Sequence, residues 1–235
     1  METGIRSLTS TDLNVTTSTN QETLGAVGVT ADGRKFRYVQ SDAVAGLGAG
    51  LIGVAPAQDP NTIGCSLSAT SLEAVGTQVV TVDVGGAVAT DQLAGGYLVV
   101  RSGAGEGAAY RINGNTQTAG AGACQVTLFD AVSIALDSAT TVVDLVNTFS
   151  GVIASTTAGV PVGAAQVDFA PGYYGWVQTS GFAAVLNDGG WVAGDSLEQS
   201  TGVAGALASS GGWEVAVALD AGVDTEYSTV NLAIA

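Results

Sequence analysis

Hydrophobic and polar residues alternate most clearly in residues 169–191, which hold six of the chain's fourteen aromatic side chains. A period of two places Tyr174 and Trp176 on one face of a strand. The small residues at 180–181 are typical of a break, so residues 182–186 are predicted to return as a second strand. Because large rings supply the apolar burial that a chain rich in Ala and Gly lacks, this segment is predicted to be the centre of the core.

The same alternation predicts a hairpin in the first part of the chain. Residues 24–30 and 34–40 are interpreted as its strands, and the Ala-Asp-Gly sequence at 31–33 as its turn. Phe36 and Tyr38 share one face of the second strand.

Along the rest of the chain, short segments of alternating hydrophobic and polar residues are separated by turns rich in Gly, Asn or Asp. This spacing favours a small antiparallel sandwich or barrel. Residues 66–75 are the one modest helix candidate, and residues 195–210 are interpreted as a polar connection. Further strands are predicted at residues 51–55, 79–84, 97–101, 108–112, 124–129, 141–146, 149–154, 214–219 and 229–234.

The first 22 residues are rich in Thr, Ser and Asn and contain the isolated apolar residues Ile5, Leu8, Leu13 and Val15. They show no sustained helical period, so they are interpreted as an extended arm. Such a segment buries too little apolar surface to order alone, and it is expected to order only against the body or a neighbouring subunit. A frayed terminus is the alternative.

The fold expected from these patterns is all-β, with antiparallel β-sandwich or barrel domains and an extended N-terminal arm. Two prolines and an Asp in residues 56–61 have the composition of a linker. We therefore predict an arm at 1–22 and a discontinuous β domain formed by 23–64 and 150–235. Residues 65–149 are predicted to form a small barrel or sandwich inserted into that domain.

Composition and charge narrow the functional classes. The chain has 34 glycines, only 11% charged residues and a net charge of -15. No basic residue follows Arg111, so the second half of the chain would be repelled by nucleic acid and anionic lipid. Neither is expected as a partner. The exception to this acidity is the cluster Arg34, Lys35 and Arg37, which suits either the edge of a hairpin or contact with an acidic partner.

No arrangement of side chains for catalysis stands out. Histidine is absent, which removes Ser-His-Asp and Cys-His catalysis and histidine metal sites. The glycines of 103–107 precede a predicted strand, whereas a dinucleotide site needs a helix there. The acids within 187–195 and 220–226 match no calcium loop with defined ligand spacing and are interpreted as solvated turns. We therefore expect no enzyme, no cofactor and no metal.

Residues 1–21 contain no apolar core typical of a signal peptide, and no stretch is long enough to cross a membrane. The sequence therefore predicts synthesis in a cytoplasm. Cys65 and Cys124 are the only cysteines. In an unsecreted chain two thiols are more often reduced and buried than bonded, although a disulfide stays open as the alternative.

Glycine-punctuated β patterns recur along most of residues 24–200, and together they resemble virion structural proteins of tailed bacteriophages. Within that group the chain is most similar to head decoration, or cement, proteins. The resemblance is carried by residues 24–40 with their Asp-Gly-Arg turn, 96–112, 124–129, 134–137, 163–168 and 172–181.

This resemblance implies a structural role on the outer surface of a phage head, fastening neighbouring major capsid protein subunits, often as a homotrimer. It implies assembly in the host bacterial cytoplasm and no catalytic residues. An acidic body suits the outer face, because an inner face would meet packaged DNA. The expected contact residues are Ile5, Leu8, Leu13, Val15, Arg34, Lys35 and Arg37.

Two other functions remain open from the residues. A phage tail or fibre component would share this composition. A carbohydrate-binding β module would use Tyr174, Trp176 or Trp191 as stacking platforms, and would need those rings to be exposed.

Overall fold

A computed structural model describes residues 4–68, 72–157, 159–209 and 214–234. The chain forms two compact units, which we call the inserted unit (residues 57–147) and the outer unit (the described residues of 3–56 and 148–235). The divisions fall at 56/57 and 147/148, whereas the predicted cuts lie at 64/65 and 149/150, so residues 57–64 belong to the inserted unit and residues 148–149 to the outer unit. Residues 4–22, predicted to be a separate arm, belong to the outer unit.

Nearly all of the regular secondary structure in the described residues is β-strand, which confirms the all-β class. Helical structure there is limited to α1 (Ser10–Leu13) and a 3-10 turn (Pro60–Thr62). The strands are β1 (Arg6–Leu8), β2 (Val27–Thr30), β3 (Lys35–Ser41), β4 (Ile52–Val54), β5 (Cys65–Leu67), β6 (Leu72–Glu73), β7 (Val79–Val84), β8 (Tyr97–Ser102), β9 (Ala109–Asn115), β10 (Gly122–Leu128), β11 (Leu136–Asp137), β12 (Val142–Val146), β13 (Ser150–Val152), β14 (Pro161–Ala165), β15 (Tyr174–Leu186), β16 (Ser196–Gln199), β17 (Leu207–Ser209), β18 (Ala216–Ala218) and β19 (Tyr227–Ala233).

The described part of the inserted unit contains a closed barrel with the strand order β10-β7-β5-β12-β8-β9. All its pairings are antiparallel. Short turns reverse the chain between β8 and β9 and between β9 and β10, and the other four pairings join strands that are more distant in the sequence. Alternate side chains point inward, as the cross-strand partners Val80 and Val126 illustrate. The glycines of 103–107 form the loop between β8 and β9, as predicted.

The helix predicted at 66–75 is wrong in its described part. Residues 65–67 form β5, which pairs with β7 and β12, and residues 72–73 form β6; residues 69–71 lie outside the described residues. In β5, Cys65 and Leu67 are buried while Ser66 is exposed. This period of two, too short to recognise in the sequence, is fixed by pairing with strands distant in the chain.

Both cysteines lie in the barrel core as free, buried thiols, which confirms the preferred interpretation over a disulfide. Burial raises the pKa of each thiol above its usual value, because the thiolate is poorly solvated there.

The described outer unit is built on one sheet with the path β1-β2-β3-β15-β19-β18-β16-β17. β13 joins β3, and β14 joins both β15 and β4. Most pairs are antiparallel, as predicted, but β1 with β2 and β13 with β3 are parallel. The predicted β2–β3 hairpin is confirmed, with Phe36 and Tyr38 buried on one face.

The hairpin predicted within 172–186 is wrong, because β15 is one strand of 13 residues. Its first half pairs with β3 and its second half with β19, and the register with β3 shifts between Gln178 and Ser180. Gly181 has a φ of 91°, which suits glycine at such a bulge. The buried Gln178 side chain donates to the carbonyl oxygens of Ser180 and Phe182. The small residues therefore bend the strand without reversing it.

The polar connection predicted at 195–210 is also wrong, since its described residues include β16 and β17. Each of these short strands places one leucine in the core, Leu197 in β16 and Leu207 in β17. One apolar residue in three or four gives too little periodicity for a sequence-based assignment.

Candidate partner-contact surface

The N-terminal segment is ordered against its own chain. β1 adds to β2 in parallel, pairing Arg6 with Gly28 and Leu8 with Thr30. Gly28 leaves the room that this docking needs, since a Cβ there would lie 2.3 Å from Leu8 Cδ1. The separate, extended arm is therefore not confirmed for residues 4–22: the segment includes a strand and a helical turn, and it is ordered against the body, one of the two arrangements expected for it.

A capping box starts the helical turn α1. The backbone N–H of Thr9 donates to the Asp12 carboxylate at 2.8 Å, and the backbone N–H of Asp12 donates to the Thr9 hydroxyl oxygen at 3.4 Å. The Thr9 hydroxyl also donates to Asp12, and this bond, with a smaller contribution from the Arg6 charge, holds the pKa of Asp12 below its usual range. These local bonds stabilise a turn that is too short to persist alone.

The structure divides the four apolar residues that the sequence predicted as partner contacts. Leu8 and Leu13 are each only 4% exposed and pack with Phe36 and Trp176, so they belong to the core and are not available to a partner. Burying each one stabilises the fold by about 1.5–3 kcal/mol, which offsets part of the entropy lost when the segment is ordered. Ile5 and Val15 remain exposed, at 72% and 50%.

The three predicted cations also differ in availability. Arg34 pairs with Asp32 at 2.8 Å, and Arg37 donates to the carbonyl oxygen of Gly25 at 2.9 Å. Lys35 is exposed, and no described carboxylate lies within ion-pair distance of it. Lys35 is thus the cation of this cluster that is free to meet an acidic group.

Register places Lys35 beside the N-terminal segment. Ser7 pairs with Val29, and Val29 pairs with Lys35, so these three side chains share one face of the sheet across β1, β2 and β3. Ser7 and Lys35 are therefore roughly 10 Å apart. β1 ends the sheet path, and no other described strand pairs with its outer edge. We call this region, with Ile5 just before it, the β1 edge.

Val15 lies in the wall of a pocket of about 380 Å³, which Arg6 of β1 also lines. Tyr38, Tyr174 and Trp176 form the aromatic wall of this pocket, with Tyr38 and Tyr174 stacked at 6.4 Å between ring centroids. Arg6 enters it, pairs with Asp12 and Glu22, and lies over the Trp176 ring. The charged side chains that line this pocket, Arg6, Asp12 and Glu22, are thus paired with one another.

The aromatic residues proposed as sugar platforms are mostly inaccessible. Trp176 and Trp191 are buried, and Tyr174 is partly buried in the pocket wall. Their burial agrees with the predicted role of this aromatic segment as core.

A second surface feature was missed by the sequence interpretation. A groove of about 440 Å³ lies beside the second half of β15, and no lining residue is charged. We call it the alanine groove, since Ala49, Ala164, Ala165, Ala183 and Ala184 line it with Gly50. Asn14, Gln166 and Tyr227 complete the lining. The sequence feature that could have indicated this groove is the absence of charged residues from β15 and β19.

The acidic turns do not converge on a cation site. Asp195 accepts from the backbone N–H of Val192 at 3.0 Å, and Asp224 accepts from that of Gly189 at 2.9 Å. In the part of the chain that the structure describes, no group of three or more Cys, Asp or Glu side chains is placed to hold a metal. These bonds organise the turns themselves.

None of the described helices has the length and apolar character needed to cross a bilayer. Comparisons with protein-family models, curated proteins and solved structures found no match to this chain.

Proposed function

We propose that this protein is a structural decoration protein that binds the outer surface of a phage head and stabilises contacts between major capsid protein subunits. The proposal carries forward the likeness to bacteriophage virion proteins, including synthesis in the host bacterial cytoplasm. It assigns the protein no catalysis, no cofactor, and no nucleic-acid or membrane partner.

The β1 edge is the observation that supports this role best. It combines an unpaired strand edge, an exposed Ile5 and the unpaired Lys35. A strand edge supplies main-chain hydrogen bonds to an extended segment of a partner. A single free cation beside it favours an acidic partner and helps to set the register of binding.

The mechanism of stabilisation is mass action. A protein that binds the assembled shell and not its free subunits lowers the free energy of the shell and raises its resistance to heat.

The test is to mix the purified protein with phage heads that lack it, and to follow binding by sedimentation and electron microscopy. We expect saturable binding at symmetry-related surface sites and a higher disruption temperature of the shell. Lys35→Glu and Ile5→Asp should each weaken binding, whereas Val44→Asp, an exposed control outside the β1 edge, should not.

Two further experiments, labelling of the protein in the virion and a glycan-binding assay, distinguish the alternatives. Protein found by labelling on tails or fibres, with no binding to heads, would establish the tail role instead. Binding to glycans through Tyr174 would establish the carbohydrate role, against which the burial of Trp176 and Trp191 counts.

A further inference from the structure

The alanine groove exists because β15 is longer than its neighbour β3. β3 begins at Lys35, which pairs with Ser180, so β15 continues beyond it. Among the described residues, 182–186 have a strand neighbour only on the β19 side. On the other side, Gln178 bonds the carbonyl oxygen of Phe182 at 2.9 Å, and the N–H of Leu186 donates to Gly50 at 3.0 Å. The groove occupies the gap between these two contacts.

Phe182 projects beside this groove. Its ring is 65% exposed, which is unusual for an aromatic residue inside a strand. Phe182 and Ala184 are on the same face of β15, since they are two positions apart, about 7 Å along the strand. Ala184 lines the groove. A protruding ring and a groove lined mainly by alanine are therefore adjacent on the surface.

The β19 partners of this pair and the lining of the groove carry no charge, and the nearest cation, Arg34 beside Gly181, is paired with Asp32. The partners of Phe182 and Ala184 across the β15–β19 ladder are Asn231 and Thr229. All nine residues that line the groove are also uncharged, in a protein with a net charge of -15. Two copies of so acidic a chain repel each other through most of their surfaces, and a neutral face is where that repulsion is weakest.

We propose that two copies of this chain associate about a two-fold axis through the β15–β19 face, each inserting Phe182 into the alanine groove of the other. A cavity of roughly 150 Å³ accommodates benzene, so a groove of about 440 Å³ has room for a phenyl ring.

A two-fold pair suits the adjacency of the two features. One surface that carries both a ring and a groove is self-complementary, so a two-fold rotation brings each ring to the groove of the other copy. The inference is independent of the proposed capsid role, because it concerns the free protein alone.

Sedimentation equilibrium of the purified protein over a micromolar to sub-millimolar series tests the inference. We expect a monomer–dimer equilibrium for the unaltered chain. Phe182→Ala removes the ring, and Ala184→Phe fills the groove; each should raise the dimer dissociation constant by at least about tenfold. Val44→Ala, which truncates an exposed side chain outside the face, should leave it unchanged.

Mixing the two variants provides the decisive control. Phe182→Ala keeps an open groove and Ala184→Phe keeps the ring, so a mixed pair retains one complete contact. The equimolar mixture should therefore dimerise more strongly than either variant alone. A monomer at every concentration, a trimer, or dimers unaffected by both substitutions would overturn the inference. Unchanged circular dichroism and melting temperature would show that the variants are folded.

Discussion

At the scale of single residues, burial decides which side chains are available for chemistry or contact. Leu8 and Leu13 look like the other scattered apolar residues of the N-terminal segment, yet both are core residues, while Ile5 and Val15 are not. The two cysteines are equally unavailable, since Cys65 and Cys124 are enclosed by barrel side chains. Their thiols should resist modification until the barrel opens.

The burial of the two cysteines also allows a prediction of how the stability of the barrel depends on pH. Burial raises both folded-state pKa values above the ordinary 9.0, so the protonated thiols favour the folded state. This contribution is fully present below about pH 9 and is lost as the pH rises through the folded-state values. We expect the free energy of unfolding to fall above pH 9, measured by denaturant titration at a series of pH values.

A double variant, Cys65→Ala with Cys124→Ala, is the control for this pH dependence. It should be less stable at neutral pH, because two core side chains are truncated. Its stability should nevertheless fall less steeply above pH 9 than that of the unaltered chain. If the free energy of unfolding fell equally steeply above pH 9 in both proteins, the pH dependence would come from other groups.

At the scale of elements, β15 organises the outer unit, because it pairs with β3, β14 and β19 along its length. Its bend at 178–181 allows one strand to serve neighbours on both sides. Gln178 is completely buried and its amide satisfies two carbonyl oxygens near the bend. A glutamine at that position therefore replaces the hydrogen bonds that a neighbouring strand would supply.

We predict that Gln178→Leu destabilises the outer unit by about 1–3 kcal/mol, since the carbonyl oxygens of Ser180 and Phe182 lose their donor. Chemical denaturation followed by tryptophan fluorescence measures this loss. Gln166→Ala, which removes a contact to Gln178 and leaves both carbonyl bonds in place, should cost less. Equal losses for the two variants would contradict the role assigned to the Gln178 amide.

At the scale of the whole molecule, the chain interrupts one β unit with another. Each unit has hydrophobic clusters of its own, one in the inserted unit and three in the outer unit among the described residues. Six strands of the inserted unit close into a barrel that has no open edge to pair with other chains, while β6 and β11 form a separate two-stranded sheet.

We predict that residues 57–147 fold when they are expressed alone. The fragment contains the whole barrel and its core, and its length of about 90 residues exceeds the size at which small domains need disulfides or metals. A dispersed NMR spectrum and a single cooperative melting transition would be the expected result. A fragment without cooperative unfolding would show that the barrel depends on the rest of the chain.

The amino-acid sequence determined the features that depend on neighbours along the chain. The β2–β3 hairpin follows from alternating residues around Ala-Asp-Gly, and the barrel strands follow from short alternations between glycine turns. The net negative charge and the absence of histidine are likewise read directly from the sequence. Such signals are local, so the residues that carry them lie within a few positions of each other.

Only the tertiary structure decided the features that depend on distant partners. Ser180 and Gly181 suit a turn or a bulge equally well, and the choice was made by β3 and β19, which pair with β15 from opposite ends of the chain. The burial of Leu8 depends on the space above Gly28, and the alanine groove depends on where β3 begins. Long-range pairing and packing select among local conformations of similar free energy, and those partners are not adjacent in the sequence.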